Sequence, residues 1–387
     1  MPTEPNTSEQ ERWMQRALDL AERGAGAVSP NPLVGAVVVG PGGTMLGEGW
    51  HGEYGGPHAE VWAVRDVERR HGAEALREST LYVTLEPCSH HGKTPPCADL
   101  IVEKSIPRVV VGMTDPFPAV AGRGIERLRA HGVDVTVGVL ESGCKRLNEA
   151  FVHHVATGRP LVTLKIAQTL DGSVATASGD SRWVTGEAAR TLVHRWRAEL
   201  DGVLVGSGTA AADDPALTVR HVEGRQPVRV VLDRPGMLRP NLKLFTDAHA
   251  AQTVAVVGEG ATPDYAAALE DLGGLVLTVP ERDGHLDFGA LLDRLGAGVG
   301  AHRPMQSLLV EAGPGLATAL LRADPSASSG QALADRLALF IAPKLVGGQR
   351  AVDNLGIGRM ADARTFETHR WEAVGPDMLF FGYRRAF

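Results

Sequence analysis

Apolar residues recur along this chain with two periods, and the alternation between those periods gives its first outline. Between Glu9 and Arg23, the residues Trp13, Met14, Ala17, Leu18 and Ala21 fall on one helical face, and Gly24 and Gly26 stop the pattern. Leu33–Val39 is a continuous apolar run, as expected of a strand covered on both faces. Pro41-Gly42-Gly43 turns the chain, and Leu46–Trp50 returns as a second strand. Helical spacing resumes after His58 through Val61, Trp62, Ala63, Val64 and Val67, as far as Arg70. Thr80–Leu85 then reads as a strand, Cys97–Lys104 as a helix, Arg108–Met113 as a strand, Gly122–His131 as a helix and Val133–Val139 as a short strand. This alternation predicts an α/β domain of three layers.

Leu147–Gly158 reads as a linker helix and turn, which places a domain boundary at Thr157-Gly158 and divides the chain into residues 1–157 and 158–387. Beyond it, strands are expected at Leu161–Ala167, Gly202–Gly206, Val228–Leu232 and Ser307–Val310, with a long helix at Gly186–Leu200. At 387 residues the chain exceeds what one hydrophobic core usually serves, so two domains agree with its length. A hydrophobic content of 43% with 22% charged residues is that of a soluble globular protein. The net charge of −7 supplies no basic footprint for nucleic acid. No apolar run approaches the roughly 20 residues of a membrane helix, and the acidic, polar Met1–Glu11 is not a secretory signal.

The chemistry concentrates between Pro57 and Cys97. His58-Ala59-Glu60 opens a helix, and Pro87-Cys88 is followed by Cys97 after a loop of eight residues. A catalytic zinc takes three protein ligands and keeps a fourth position for water, whose pKa it lowers towards neutrality. His58, Cys88 and Cys97 supply such a set. Glu60, two residues past the histidine, can reach the same water as a proton carrier without binding the metal. The pattern follows the zinc-deaminase signature except in its longer cysteine spacing. A structural zinc closed by a fourth ligand, His90 or His91, is the competing reading. With two cysteines committed to metal, Cys144 stands alone as a small hydrophobe, and a reducing cytoplasm is expected. Asn31, between two prolines, offers a donor and an acceptor together, which suits a pyrimidine edge as well as a plain turn.

In the second half, Arg190 and Arg195 read as a solvated helix face. Arg197 and Arg220 each adjoin a Gly- or Asp-rich loop beside a strand, where a phosphate can be held bidentately. Glu311-Ala312-Gly313-Pro314-Gly315 passes from strand to helix, and backbone amides in such a turn form an anion site. Its spacing is not the dinucleotide fingerprint. A nicotinamide-cofactor phosphate and a loop that satisfies only itself both remain open on this evidence.

Asn31-Pro32-Leu33-Val34-Gly35, His58-Ala59-Glu60, the Pro87-Cys88 to Cys97 loop with Gly92-Lys93-Thr94-Pro95-Pro96, and Asp115-Pro116 together resemble the deaminase half of the RibD family of bifunctional riboflavin biosynthesis proteins. The long cysteine loop is itself a feature of that family. Phe117 departs from it, standing where the family usually has Asn. Leu164-Lys165, Leu170-Asp171-Gly172, Ser181-Arg182-Trp183, Ala212 through Arg220, and Glu311-Ala312-Gly313-Pro314 are similar to the family's reductase half. The likeness spans nearly the whole chain apart from the Ser/Ala-rich stretch 323–331, expected to be a surface loop.

The resemblance implies a cytidine-deaminase-like domain followed by a dihydrofolate-reductase-like α/β domain, with one zinc and NADPH as cofactors. It implies deamination of 2,5-diamino-6-ribosylamino-4(3H)-pyrimidinone 5′-phosphate, with Glu60 carrying the proton. Reduction of the ribosyl group to a ribityl chain follows. By the same likeness Gln168, Trp183, Thr209, Asp213, Arg234 and the loop Gly313, Pro314, Gly315 would hold NADPH, with Arg234 on its 2′-phosphate. Ser181, Arg197, Leu217, Arg220 and Glu311 would hold substrate, with the arginines on its phosphate. Small-molecule substrates, no nucleic acid and no membrane are expected, and a homo-oligomer is left open. Two rivals compete with this reading: a lone nucleoside or nucleic-acid deaminase with an unrelated tail, and a scaffold whose zinc is structural.

Overall fold

A computed structural model describes residues 7–89, 95–118, 120–282, 284–322 and 333–384. The stretch 323–331 and the candidate ligands His90 and His91 lie outside the described residues. The chain divides into two compact units, Met1–Thr157 and Gly158–Ala386.

In the first unit α1 (Thr7–Ala21) precedes the hairpin β1 (Gly35–Gly40) and β2 (Thr44–Trp50). Then come α2 (Ala59–His71), β3 (Thr80–Leu85), α3 (Cys97–Glu103), β4 (Arg108–Met113), α4 (Arg123–Ala130) and β5 (Asp134–Val137). α5 (Glu141–Leu147) and α6 (Glu149–Thr157) close the unit, and α6 falls within the linker expected at Leu147–Gly158. Among the described residues the strands form one sheet of order β2-β1-β3-β4-β5. β1 pairs antiparallel with β2 and β3, and β3, β4 and β5 run parallel.

The apolar runs β1 and β3 are buried at every position because helices cover both faces of the sheet. Ala36, Val38, Leu81, Val83, Val109 and Val111 pack against α2, α3 and α4. Val37, Val39, Tyr82 and Val110 pack against α1 and α5, where Cys144 is also buried. Each fully buried Val or Leu contributes about 1.5–3 kcal/mol relative to exposure, so the alternation within a strand secures both layers. The three layers are those the sequence pattern predicts.

The second unit begins with β6 (Leu161–Thr169), β7 (Ser173–Ala175), α7 (Glu187–Glu199), β8 (Gly202–Gly206), α8 (Ser207–Asp213) and β9 (Val228–Leu232). It continues through α9 (Lys243–Thr246), β10 (Thr253–Val257), α10 (Pro263–Asp271), β11 (Leu275–Thr278), the two-residue pair β12 (Glu281–Arg282) and β13 (His285–Leu286), and α11 (Phe288–Ala297). β14 (Ser307–Glu311), α12 (Pro314–Arg322), β15 (Arg336–Ala342), β16 (Gln349–Arg350), β17 (Thr368–Val374) and β18 (Asp377–Tyr383) complete it. The main sheet has the order β11-β10-β9-β8-β14-β6-β15-β18-β17. It is parallel from β11 to β15 and antiparallel across β18 and β17. α11 and α12 pack on one face, and α7, α8 and α10 on the other. The run Gly208–Asp213, which carried no helical pattern in the sequence, is the helix α8. Its small side chains leave no apolar stripe to read, and Ala210 alone of them is buried.

Candidate functional site

In the first unit, three elements end at one place. His58 is the N-cap of α2, Cys97 is the first residue of α3, and Cys88 follows the end of β3. His58 Nδ1 lies 3.2 Å from Cys97 Sγ and 3.6 Å from Cys88 Sγ, and Cys97 N–H donates to Cys88 Sγ at 3.3 Å. The three donor atoms lie within 4.8 Å of one another. Tetrahedral zinc bonds of 2.0–2.3 Å separate their ligand atoms by about 3.3–3.8 Å, so the set fits zinc. A hydrogen bond from the Cys97 thiol, aided by His58 and the Cys97 amide, holds the Cys88 thiol down to about 4. Donating that bond keeps the Cys97 proton in place and pushes its thiol up.

Glu60, in the first turn of α2, is buried at 3% exposure, and that burial raises its carboxyl above the ordinary value. It stands beside both His58 and Cys97. Glu86 anchors the other side of the centre. Its carboxylate accepts from four backbone amides, those of Asp115, Gly122, Gly124 and Ile125. This fastens the Glu86-Pro87-Cys88 corner to the start of α4. Gly124 is required there, since a Cβ would stand 1.9 Å from the Pro87 carbonyl oxygen. Phe117 leaves its ring exposed and still donates its amide to Asp115 Oδ1 at 2.8 Å.

Asn31 reaches this centre through a residue that the sequence reading passed over. His51, at the end of β2, is buried; its Nδ1 meets the Pro57 carbonyl at 3.1 Å and its Nε2 meets Asn31 Nδ2 at 3.1 Å. A carbonyl can only accept, so Nδ1 carries the proton and Nε2 accepts from the Asn31 amide. The asparagine carbonyl is then turned away from His51. The ring of His51 also stands edge-on to His58 at 5.5 Å.

The second unit gathers a different set at the carboxyl end of its parallel strands. Glu311 ends β14 opposite Lys165 of β6. Arg197 of α7 donates to Glu311 at 2.6 Å and to the Thr218 carbonyl at 3.1 Å. Burial would raise the Glu311 carboxyl, but Arg197 and Lys165 outweigh it and hold it at about 2. Burial pulls the Lys165 ammonium down against the opposing pull of Glu311. In the sequence, Lys165 stands out only within the motif Leu164-Lys165. A charge inside the apolar run Leu161–Ala167 was the available signal.

The expected phosphate arginines differ from each other. Arg197 is buried and already engaged by Glu311, itself an expected substrate residue. The exposed Arg220 guanidinium makes no hydrogen bond or ion pair among the described residues. Leu217 puts its side chain into the core at a backbone φ of +53°, so a ligand meets its main chain at most. Ser181 stands in the loop before Trp183, and no hydrogen bond among the described residues joins it to Glu311 or Arg197.

The expected cofactor residues fall into groups. A Cβ on Gly313 would come within 3.0 Å of Thr209 Oγ1, so the openings of α12 and α8 lie side by side. Pro314 and Gly315 form the first turn of α12, where proline suits the first helical position. Asp213 ends α8, and its carbonyl accepts from Arg182, next to Trp183. The Trp183 ring is exposed, with Arg190 4.7 Å over it and its carbonyl accepting from Lys344 at 2.7 Å. Arg190 is therefore not the solvated helix residue expected from the sequence, whereas Arg195 is exposed. Gln168 lies near the end of β6 beside Ile341. Arg234 is exposed and paired with Glu281 at 3.0 Å.

The family model for the cytidine and deoxycytidylate deaminase zinc-binding region matches residues 7–113, and that for the RibD C-terminal domain matches residues 160–380. Riboflavin biosynthesis protein RibD of Escherichia coli K12 is 40% identical over 383 residues, covering 95% of this chain and 97% of that protein. RibD of Aquifex aeolicus is 38% identical over 370 residues, covering 95% and 97%. Among solved structures, Acinetobacter baumannii RibD, form 1, superposes with a TM-score of 0.82 at 34% identity, covering 98% of this chain and 99% of that one. The diaminohydroxyphosphoribosylaminopyrimidine deaminase/5-amino-6-(5-phosphoribosylamino)uracil reductase of Thermotoga maritima gives a TM-score of 0.81 at 37% identity, covering 97% and 99%. A lone deaminase with an unrelated tail is excluded, because the tail is itself a RibD reductase domain.

Proposed function

The chain belongs to the RibD family of riboflavin biosynthesis, and from that premise we propose which of its residues carry each half of the chemistry. It is a bifunctional enzyme, with a zinc-dependent deaminase domain and an NADPH-type reductase domain. We assign deamination to residues 1–157 and reduction to residues 158–387. The substrate is the phosphorylated diaminopyrimidinone, and the product of the first reaction feeds the second. No helix among the described residues is long and apolar enough to cross a membrane. A cytoplasmic enzyme that acts on small molecules and needs no nucleic acid is the reading adopted.

His58, Cys88 and Cys97 would hold zinc, which supplies the acidity that makes a neutral-pH nucleophile of water. Glu60 takes the proton of the water that adds to the amino-bearing ring carbon. It then returns that proton to the nitrogen leaving as ammonia. Asn31, oriented by His51, offers its carbonyl oxygen to an N–H on the pyrimidine edge. The observation that carries this reading is the buried Glu60 carboxylate beside three convergent metal ligands.

In the second half bound NADPH would supply the hydride that C1′ of the ribosyl group takes up. Opening the sugar places a proton on its ring oxygen, so the net uptake is one hydride and one proton. Lys165, an ammonium made more acidic by burial on the strand beside Glu311, is the group we assign to give that proton. Arg220 meets the substrate phosphate. Thr209, Asp213, Trp183, Gln168 and the Gly313 turn would hold the cofactor, with Arg234 for its 2′-phosphate. Incubating the purified protein with zinc, NADPH and the diaminopyrimidinone phosphate, and measuring ammonia and NADP⁺ separately, tests both assignments. Ammonia without NADPH oxidation would remove the second, and neither product would remove both.

A further inference from the structure

The main chain that carries Arg220 is held at three consecutive residues by three side chains. Thr218 O accepts from Arg197 Nη1 at 3.1 Å. Val219 is gripped from the other side by Gln226, whose Oε1 accepts its amide at 2.7 Å and whose Nε2 donates to its carbonyl at 3.2 Å. Arg220 N–H donates to His194 Nδ1 at 3.1 Å. His194 lies on α7 three residues before Arg197, so one helix face reads both Thr218 and Arg220. The result is a fixed backbone under a guanidinium that is itself exposed and without a partner among the described residues.

The geometry dictates the chemical form of His194. A nitrogen that accepts an amide proton bears none, so the ring is neutral with its proton on Nε2. The ring is 5% exposed and meets His221 edge-on at 4.5 Å. The charged and titratable groups around it are Arg197 on its own helix, Arg220 and His221 on the held segment, and Glu311 on β14. Burial first, then those cations, hold its pKa down to about 4. Protonation would put two donors face to face and a third cation beside two arginines.

We propose that His194 is a positioning residue for the reduction: as a neutral acceptor it fixes the Arg220 backbone, so that the guanidinium meets the substrate phosphate at low entropic cost. The inference rests on the reading of Arg220 as the phosphate ligand. It predicts that losing the acceptor weakens recognition of the phosphate arm and leaves hydride transfer intact.

The test uses the full-length protein loaded with zinc and NADPH, given the deaminated substrate with and without its phosphate. His194→Phe keeps a ring of similar size and removes the acceptor. It is expected to raise KM for the phosphorylated substrate about five- to tenfold, the worth of one lost hydrogen bond. KM for the dephosphorylated substrate, KM for NADPH and kcat should not change. His194→Asn places an oxygen near the Nδ1 position and should restore the KM ratio. Should His194→Phe not fold, His194→Gln, whose acceptor falls one bond farther out, is scored by the same ratio. An equal rise in KM for both substrates, or a fall in kcat alone, overturns the inference and leaves His194 a packing residue. Arg220→Ala separates the two levels. If it changes the ratio and the His194 variants do not, the His194 inference alone fails. If it leaves the ratio unchanged, the phosphate reading fails and the inference with it.

Discussion

The candidate metal centre of the first unit and the charged cluster of the second, each proposed to meet a polar substrate, are assembled with opposite economies of sequence. The candidate metal centre draws its three candidate ligands and its proposed proton carrier from residues 58–97, at the start of two helices and the end of one strand. The cluster draws on Lys165, His194, Arg197, Arg220 and Glu311, spread over nearly 150 residues, joined by the pairing of β6 with β14 and by hydrogen bonds from α7. The first is a short-range arrangement whose groups keep their chemistry through contact with one another. The second is an ion cluster whose members are set by burial and by each other's charge. Damage to the first should therefore stay chemical, while damage to the second should also reach stability.

Glu60→Gln presses that contrast hardest. Ammonia release should fall by about 10²–10⁴-fold, the usual worth of a positioned acid–base group. NADPH oxidation with pre-deaminated substrate should be unaffected, and parallel ammonia and absorbance assays read the two. Loss of both would break the comparison.

Glu311→Gln should do the reverse, removing one partner of a buried pair and costing on the order of 3 kcal/mol of stability in the second unit. The wild-type carboxyl is depressed below its ordinary 4.5 to about 2. Its contribution is thus fully present above the ordinary value and is lost as pH falls towards 2. Urea midpoints measured across that range should converge for wild type and variant at the acid end. A constant gap would count against the ion pair.

Arg220→Ala should raise KM for the phosphorylated substrate by about 10–100-fold, the worth of a hydrogen bond between charged groups, with little change in melting temperature. The smallest effect is expected of Arg234→Ala. An exposed, salt-screened contact should alter the preference for NADPH over NADH by only a few-fold, since such pairs contribute about 0–1 kcal/mol. Steady-state kinetics with each cofactor would reveal it, and an unchanged ratio would move 2′-phosphate recognition elsewhere.

How legible each site was follows from the same contrast. His58, Glu60, Cys88 and Cys97 could be read as a set because metal chemistry limits residue type and local geometry limits spacing. Their supports could not. Nothing in the sequence pairs Glu86 with the amides of α4, or His51 with Asn31, since both bonds cross the fold. In the second unit the two arginines expected to meet phosphate differ: Arg197 is engaged by Glu311, and the Arg220 guanidinium has no hydrogen bond or ion pair among the described residues. Arg190 looked solvated by its place on α7, yet the fold lays it over Trp183.

The order of strands and helices in the first unit, the burial of its apolar strands and the candidate zinc ligand set follow from the sequence alone, whereas most elements between Leu232 and Ser307 and after Arg322 do not. The features that do follow depend on periodicity and residue chemistry, which act over a few positions. Which arginine lacks a partner among the described residues, which histidine is neutral and which lysine is half-buried were decided by tertiary structure. A side chain's charge state and availability depend on neighbours brought from distant strands and on the water those neighbours exclude.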